Sequence, residues 1–256
     1  MTDENGGTST TKVAIAWLVE GTETPVGHGN NAPVRCVVRL EDGTLSAAIL
    51  KRLDQPALTI EVFCALVLRG WGLHVPRPLI VQIENEGLAF GSADEGFPDL
   101  KQQLNFDDEL PAEIRHELRV RAAALVSSFT QTPLAIAADE AIANRDRHLA
   151  NILWDGTTVA WIDHEGALGN SAEPDQNRLV ALVCLLGDYE SMRDKALQAA
   201  TLLPKAPASA FPMDLPAGFL DGIEVSRALV SGLTALTQRV LLRFPQPADL
   251  FHLPKE

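Results

Sequence analysis

Asp146, Asn151 and Asp163 are three oxygen-bearing side chains suited to magnesium-phosphate chemistry, and they lie close together in the chain. Between the last two runs an apolar pattern: Ile152-Leu153-Trp154, the pair Asp155-Gly156, then Val159-Ala160-Trp161-Ile162. An Asp-Gly pair between two apolar runs predicts a tight hairpin. Such a hairpin brings Asn151, at the start of its first strand, and Asp163, at the end of its second, to the same end. Asp146, in the loop before Asn151, can fold back over that end. Three converging oxygen donors suit a hard cation carrying phosphate oxygens. Taken singly, each residue has an ordinary reading. Either Asp146 or Asn151 can cap a turn, and Asp146 with Arg147 can be a surface ion pair worth under ~1 kcal/mol. Together, bracketing a hairpin, they point to chemistry.

The elements that must position these residues follow from the apolar patterning. Residues 12–20 read as a strand, 21–33 as a Gly/Asn/Pro-rich loop, and 34–40 and 45–51 as strands joined by Glu41-Asp42-Gly43-Thr44. Gly27, Gly29 and Asn30, with Asn31, would let a backbone approach phosphates closely. Neither a Walker A sequence nor a full G-x-G-x-x-G is present, so an ordinary connecting loop stays open as a reading. Lys51 ends the second strand. Residues 58–69 pattern as a helix apolar nearly all round, with Glu61 as its only acid, and a buried acid invites a partner. Trp71–Pro78 breaks that helix, and 79–83 and 88–90 pattern as strands. The polar stretch 91–96 reads as a hinge. Helices are expected at 111–128, 133–143, 175–202 and 216–242, with a Pro/Ala-rich connector at 204–216.

Composition sets the outer bounds. The chain has 256 residues, 46% apolar and 21% charged, enough for one domain or two lobes. Its formal net charge of −13 repels phosphate backbones and anionic lipid, so neither nucleic acid nor a membrane is an expected partner. Cys36, Cys64 and Cys184 are widely spaced in apolar surroundings and read as free buried thiols, which fits a reducing cytoplasm. Residues 1–10 read as a flexible leader without the features of a secretory signal.

The interval from Asp146 to Asn151 is that of the protein-kinase catalytic loop H-R-D-x-x-x-x-N, and Asp163 stands where that family has its D-F-G aspartate. The local wording, Asp146-Arg147-His148 with Asn151, then Ile162-Asp163-His164, is similar to the D-R-H-x-x-N and I-D-F-G elements of phosphatidylinositol 3-kinase-like enzymes. It resembles more closely still the compact bacterial HipA-like kinases, through Asn144, Asp146, Arg147, His148, Asn151, Leu153, Ile162, Asp163 and His164. His164-Glu165-Gly166 departs from the Phe-Gly of protein kinases. The resemblance implies an α+β, two-lobed protein-kinase-like fold, with a small β-rich N-lobe over 11–91 and a larger helical C-lobe over 92–256. It implies transfer of the ATP γ-phosphate to a hydroxyl acceptor, expected to be a protein Ser or Thr. ATP and Mg²⁺ are the implied cofactors. In that reading Asp146 and His148 are catalytic, and Asn151 and Asp163 hold the metal. Lys51, whose strand resembles V-A-I-K, pairs with Glu61 and holds the α/β-phosphates. Adenine meets backbone groups near Ala89 and Gly91, and Gly27, Gly29 and Asn30 cover the phosphates. A small-molecule kinase, a nucleotidyl-transferring relative and a nucleotide-binding pseudokinase remain the alternatives.

Overall fold

The computed structural model describes residues 13–26, 32–204 and 222–246. The leader at 1–10 and the loop residues Gly27, Gly29 and Asn30 lie outside the described residues. Six strands come first: β1 (Ala14–Leu18), β2 (Thr24–Pro25), β3 (Val34–Leu40), β4 (Leu45–Lys51), β5 (Pro78–Ile83) and β6 (Gly87–Ala93). They form one sheet in the order β1-β5-β6-β4-β3-β2. Because β1 pairs parallel with β5 and antiparallel with β3, five of the strands close on themselves. Period-two alternation sorts their side chains. Leu79, Val81 and Ile83 of β5 pack with Ala16, Val38, Ala48 and Leu50, whereas Ile80 turns the other way.

That other side belongs to α1 (Gln55–Gly70). It starts three residues earlier than the apolar pattern predicts, because the Asp54 carboxylate accepts the Ala57 N–H at 2.9 Å and Pro56 suits the first turn. Every residue from Leu58 to Leu68 is buried, since the helix serves two cores at once. Leu58, Val62 and Leu66 pack on Ile80 and Phe90, while Phe63, Val67 and Leu68 join Ile136, Ile142, Trp161 and Leu179. Glu61 is thereby carried into the interior between the sheet and the later elements.

Those elements are α2 (Leu100–Gln103), α3 (Ala112–Ser128), α4 (Thr132–Ala141), the hairpin strands β7 (Ile152–Trp154) and β8 (Val159–Trp161), α5 (Arg178–Val183), α6 (Glu190–Leu202), α7 (Gly222–Leu233) and α8 (Leu236–Arg243). Two helices predicted as continuous are broken. The one expected over 175–202 stops at Val183, passes a 3-10 turn at Cys184–Leu186 and reverses at Gly187, φ +78°. The one expected over 216–242 is interrupted at Ala235, φ +51°. Apolar spacing that resumes beyond a break hides it from a periodicity reading.

The first residues of the polar stretch expected as a hinge at 91–96 are strand. Strand β6 runs through Gly91 to Ala93, and Gly91 lies opposite both Leu50 and Leu79. A Cβ there would sit 2.6 Å from Val81 Cγ2, so this glycine serves close strand packing. Cys36 and Cys64 are buried free thiols as expected, and Cys184 is only half-buried. Among the described residues no helix is long and apolar enough to cross a membrane.

Candidate active site

Helix α4 is short and apolar except near its end, where Asp139 and Glu140 are both buried. Two buried acids so close to a helix C-terminus are unfavourable unless matched. Asp139 is matched by Arg147: Nη2 donates to Oδ1 at 2.8 Å and Nε to Oδ2 at 3.1 Å, in the forked arrangement that suits a guanidinium. Arg147 also donates to the Ile162 carbonyl and lies 5.9 Å from the centre of the Trp161 ring. Burial opposes its charge, yet Asp139, with Asp163 and Glu61 adding to it, raises the pKa. Arg147 therefore ties α4 to the end of the strand that leads into Asp163. Its partner is not Asp146, the surface pairing considered from sequence. Asp139 had no role on sequence grounds, and its signal was an acid inside an apolar helix.

The loop between is fixed by two asparagines. Asn144 donates to Asp139 Oδ1 at 3.2 Å and accepts the Asp146 N–H at 3.2 Å. Asn151, buried in a 3-10 turn (Leu149–Asn151), donates through Nδ2 to the Asp146 carbonyl at 3.0 Å. This leaves Oδ1 as the acceptor end of its amide. The Asp146 backbone is thus held from both sides, and its half-buried carboxylate meets Arg178 Nη1 at 3.0 Å. In the hairpin Ile152 lies opposite Trp161, and the Ile162 N–H donates to the Asn151 carbonyl at 3.1 Å. Asn151 and Asp163 consequently stand at one end, with Asp146 beside them. Asp163 has φ +69°, a conformation that costs a non-glycine residue on the order of 1–3 kcal/mol and that clusters at functional sites.

Lys51 comes to this end from the sheet. Its Nζ lies 2.8 Å from Asp163 Oδ1 and 3.1 Å from Glu165 Oε2. Those are its ion pairs among the described residues, which corrects the expected direct bond to Glu61. Glu61 instead accepts the His164 N–H and acts on Lys51 through space. Burial works against the Lys51 ammonium, but Glu61, Asp163 and Glu165 together raise its pKa. Burial pushes the Glu61 carboxyl up, Lys51 opposes that, and the other two carboxylates add to it. Glu165 was read from sequence only as a departure from Phe-Gly. Its nearness to Asp163 in the chain was the available signal.

Oxygens of Glu61, Asp163 and Glu165 lie within 4.8 Å of one another, with one ammonium among three carboxyl groups. An added divalent cation would relieve that excess of acid, and hard oxygen donors suit Mg²⁺, so the residues fit the metal that the motif implies. His164 is buried, and its Nδ1 lies 3.1 Å from Arg147 Nη2. A guanidinium only donates, so Nδ1 accepts and the ring is neutral; burial, Arg147 and Lys51 hold its pKa far below the ordinary value. His148 stands exposed beside Asp146. The surrounding protein lowers its pKa against the opposing pull of Asp146 and Asp163.

Ala89 and Gly91, expected near the adenine, both lie within β6. Both are buried there, Ala89 opposite Val81 and Gly91 between two neighbouring strands. The chain leaves the strand only after Ala93.

No family model matches the sequence, and no curated protein matches it. Among solved structures it is similar to a Helicobacter pylori proinflammatory kinase, CtkA, with a TM-score of 0.55 and 12% identity over 91% of this chain and 98% of that one. It is also similar to HipA of the Shewanella oneidensis MR-1 toxin–antitoxin system, solved with HipB and operator DNA. There the TM-score is 0.54 and the identity 14%, over 86% of this chain and 66% of that one. The chain has the α+β fold of CtkA and HipA, in agreement with the resemblance to HipA-like kinases that the stretch from Asn144 to His164 carries.

Proposed function

We propose that the chain is an ATP-dependent phosphotransferase of HipA-like type, acting on a protein Ser or Thr hydroxyl. The observation that carries this reading is the meeting of Lys51 with Asp163 at 2.8 Å, across 112 residues of chain, at the end of the hairpin that holds Asn151 and Asp146. In this reading the smaller lobe runs through β6, two residues beyond the expected boundary at 91, and the elements after it form the larger. Nucleotide lies between them, and its adenine meets backbone groups of β6 near Ala89 and Gly91. Lys51 holds α- and β-phosphate oxygens. Asp163 and Asn151, with Glu165 beside them, would hold Mg²⁺, which when bound supplies neutralising charge to the phosphates. Glu61 keeps the metal segment in place through the His164 N–H.

The acceptor oxygen forms a bond to the γ-phosphorus as the bond from that phosphorus to the β–γ bridging oxygen breaks. The hydroxyl proton passes to Asp146, and the products are ADP and a phosphoester. Phosphoryl transfer depends mainly on positioning and electrostatics. That is consistent with an Asp146 whose backbone is held by two asparagines. His148, beside Asp146 in the loop and with its pKa lowered chiefly by desolvation, supports the acceptor side.

Metal-dependent nucleotide binding is the first consequence. Wild-type protein should gain thermal stability with ATP and Mg²⁺ together, and Asp163→Ala should lose that gain. An equal ATP shift in wild type and variant at fixed Mg²⁺ would remove Asp163 from the metal site.

A further inference from the structure

The helices at the C-terminal end carried no motif in the sequence, yet α8 reaches the base of the catalytic loop. Glu140, fully buried one residue before the end of α4, meets three arginines. Arg145 Nη1 lies at 3.0 Å, Arg239 Nε at 3.3 Å and Arg243 Nε at 2.9 Å. Asp175, in the segment that follows the metal-binding residues, closes the arrangement: Arg145 Nη2 lies at 2.9 Å and Arg243 Nη2 at 2.5 Å. Glu140, Arg145, Asp175 and Arg243 therefore form a ring of alternating charge. It joins four parts of the chain: the end of α4, the loop that follows it, the segment before α5, and α8.

Two bonds make the ring bear on Asp146. Arg145 is its immediate neighbour in the loop. Arg178, three residues after Asp175, holds the Asp146 carboxylate while Glu173 holds Arg178 at 2.6 Å. Asn177 anchors this stretch, accepting the Val180 N–H at 3.2 Å and donating to the Ile136 carbonyl at 3.1 Å. The Asp175 side chain is 75% exposed, so its two arginines are what fix it. Removing Arg243 would release Asp175 from α8 and leave the segment bearing Arg178 with one fewer tie.

We infer that Arg243 is a positioning residue for Asp146, acting through Asp175 and Arg145, so that α8 sets the acceptor side of the site. This rests on the phosphotransferase reading above. The test uses the full chain, γ-labelled ATP, Mg²⁺ and heat-treated lysate protein as the acceptor pool, with initial rates measured against ATP concentration. Arg243→Gln should lower the maximal rate about tenfold or more, because small misplacements of a reacting group are costly, while the KM for ATP and the Mg²⁺-ATP melting shift stay within a few-fold. Arg243→Lys should recover part of the rate. Asp175→Asn, a near-isosteric change at an exposed residue, should reproduce the loss even if Arg243→Gln folds poorly. The double variant should be no slower than the worse single one. Unchanged maximal rates in folded Arg243→Gln and Asp175→Asn would overturn the inference alone, as would an equal loss of ATP binding. No transfer by the wild type would overturn both the inference and the function it rests on.

Discussion

Asp146→Asn should lower phosphoryl transfer by at least ~10²-fold while leaving ATP affinity within a few-fold of the wild type. Asparagine is nearly isosteric with aspartate, and the features that hold residue 146 in place do not need its charge. The backbone is fixed by Asn144 and Asn151, and an asparagine Oδ1 can still accept from Arg178. In the proposed reaction, what the substitution removes is the acceptor for the hydroxyl proton. Its side chain is placed toward Arg178 and not toward Lys51, which is paired with Asp163 and Glu165 instead. Rates and ATP binding measured on the same folded preparation separate the two roles. Loss of Mg²⁺-ATP binding would make Asp146 a metal ligand, and an unchanged rate would remove it from the chemistry.

The largest effect on stability is expected at Arg147. Its side chain and that of Asp139 are each only 2% exposed, and the pair carries two hydrogen bonds. Breaking a buried pair by removing one partner costs about 3–5 kcal/mol, chiefly because the remaining charge stays buried and unmatched. Arg147→Met should cost that much in a denaturant titration. Asp139→Asn combined with Arg147→Met should cost less than the sum of the two single changes, since neither charge is then left alone. Strict additivity would mean that Arg147 acts through Ile162 and Trp161 rather than through Asp139.

The parts of this molecule that were legible in the sequence are those whose cause is local. Asp155-Gly156 between apolar runs announced the hairpin, and with it the meeting of Asn151 and Asp163. Alternation and turn residues announced β3 and β4 and placed Lys51 at a strand end. The partners of the charged residues were not legible, because each is chosen by packing across long stretches of chain. Glu61 was expected on Lys51, but α1 is buried against two cores and its register aims the carboxylate at the His164 N–H. Arg147 was weighed as a partner of its neighbour Asp146, yet the buried Asp139 claims it. Gly91 suggested a hinge by composition, whereas its reason is the Val81 side chain beside it. The arginines of α8 gave no signal, since their counter-charge, Glu140, lies about a hundred residues earlier.

In the proposed reaction the γ-phosphate of ATP leaves the nucleotide and is found on an acceptor hydroxyl. A single-turnover reaction with Mg²⁺ and heat-treated lysate protein, run in parallel with ATP labelled at the γ- and at the α-phosphate, tests it directly. Label from the γ-position should appear on protein Ser or Thr, label from the α-position should not, and Asp146→Asn should abolish most of the transfer. Transfer of α-label would make the chain a nucleotidyltransferase. Absence of both labels from protein, with Mg²⁺-ATP still bound, would contradict the account and leave a nucleotide-binding protein without transfer activity.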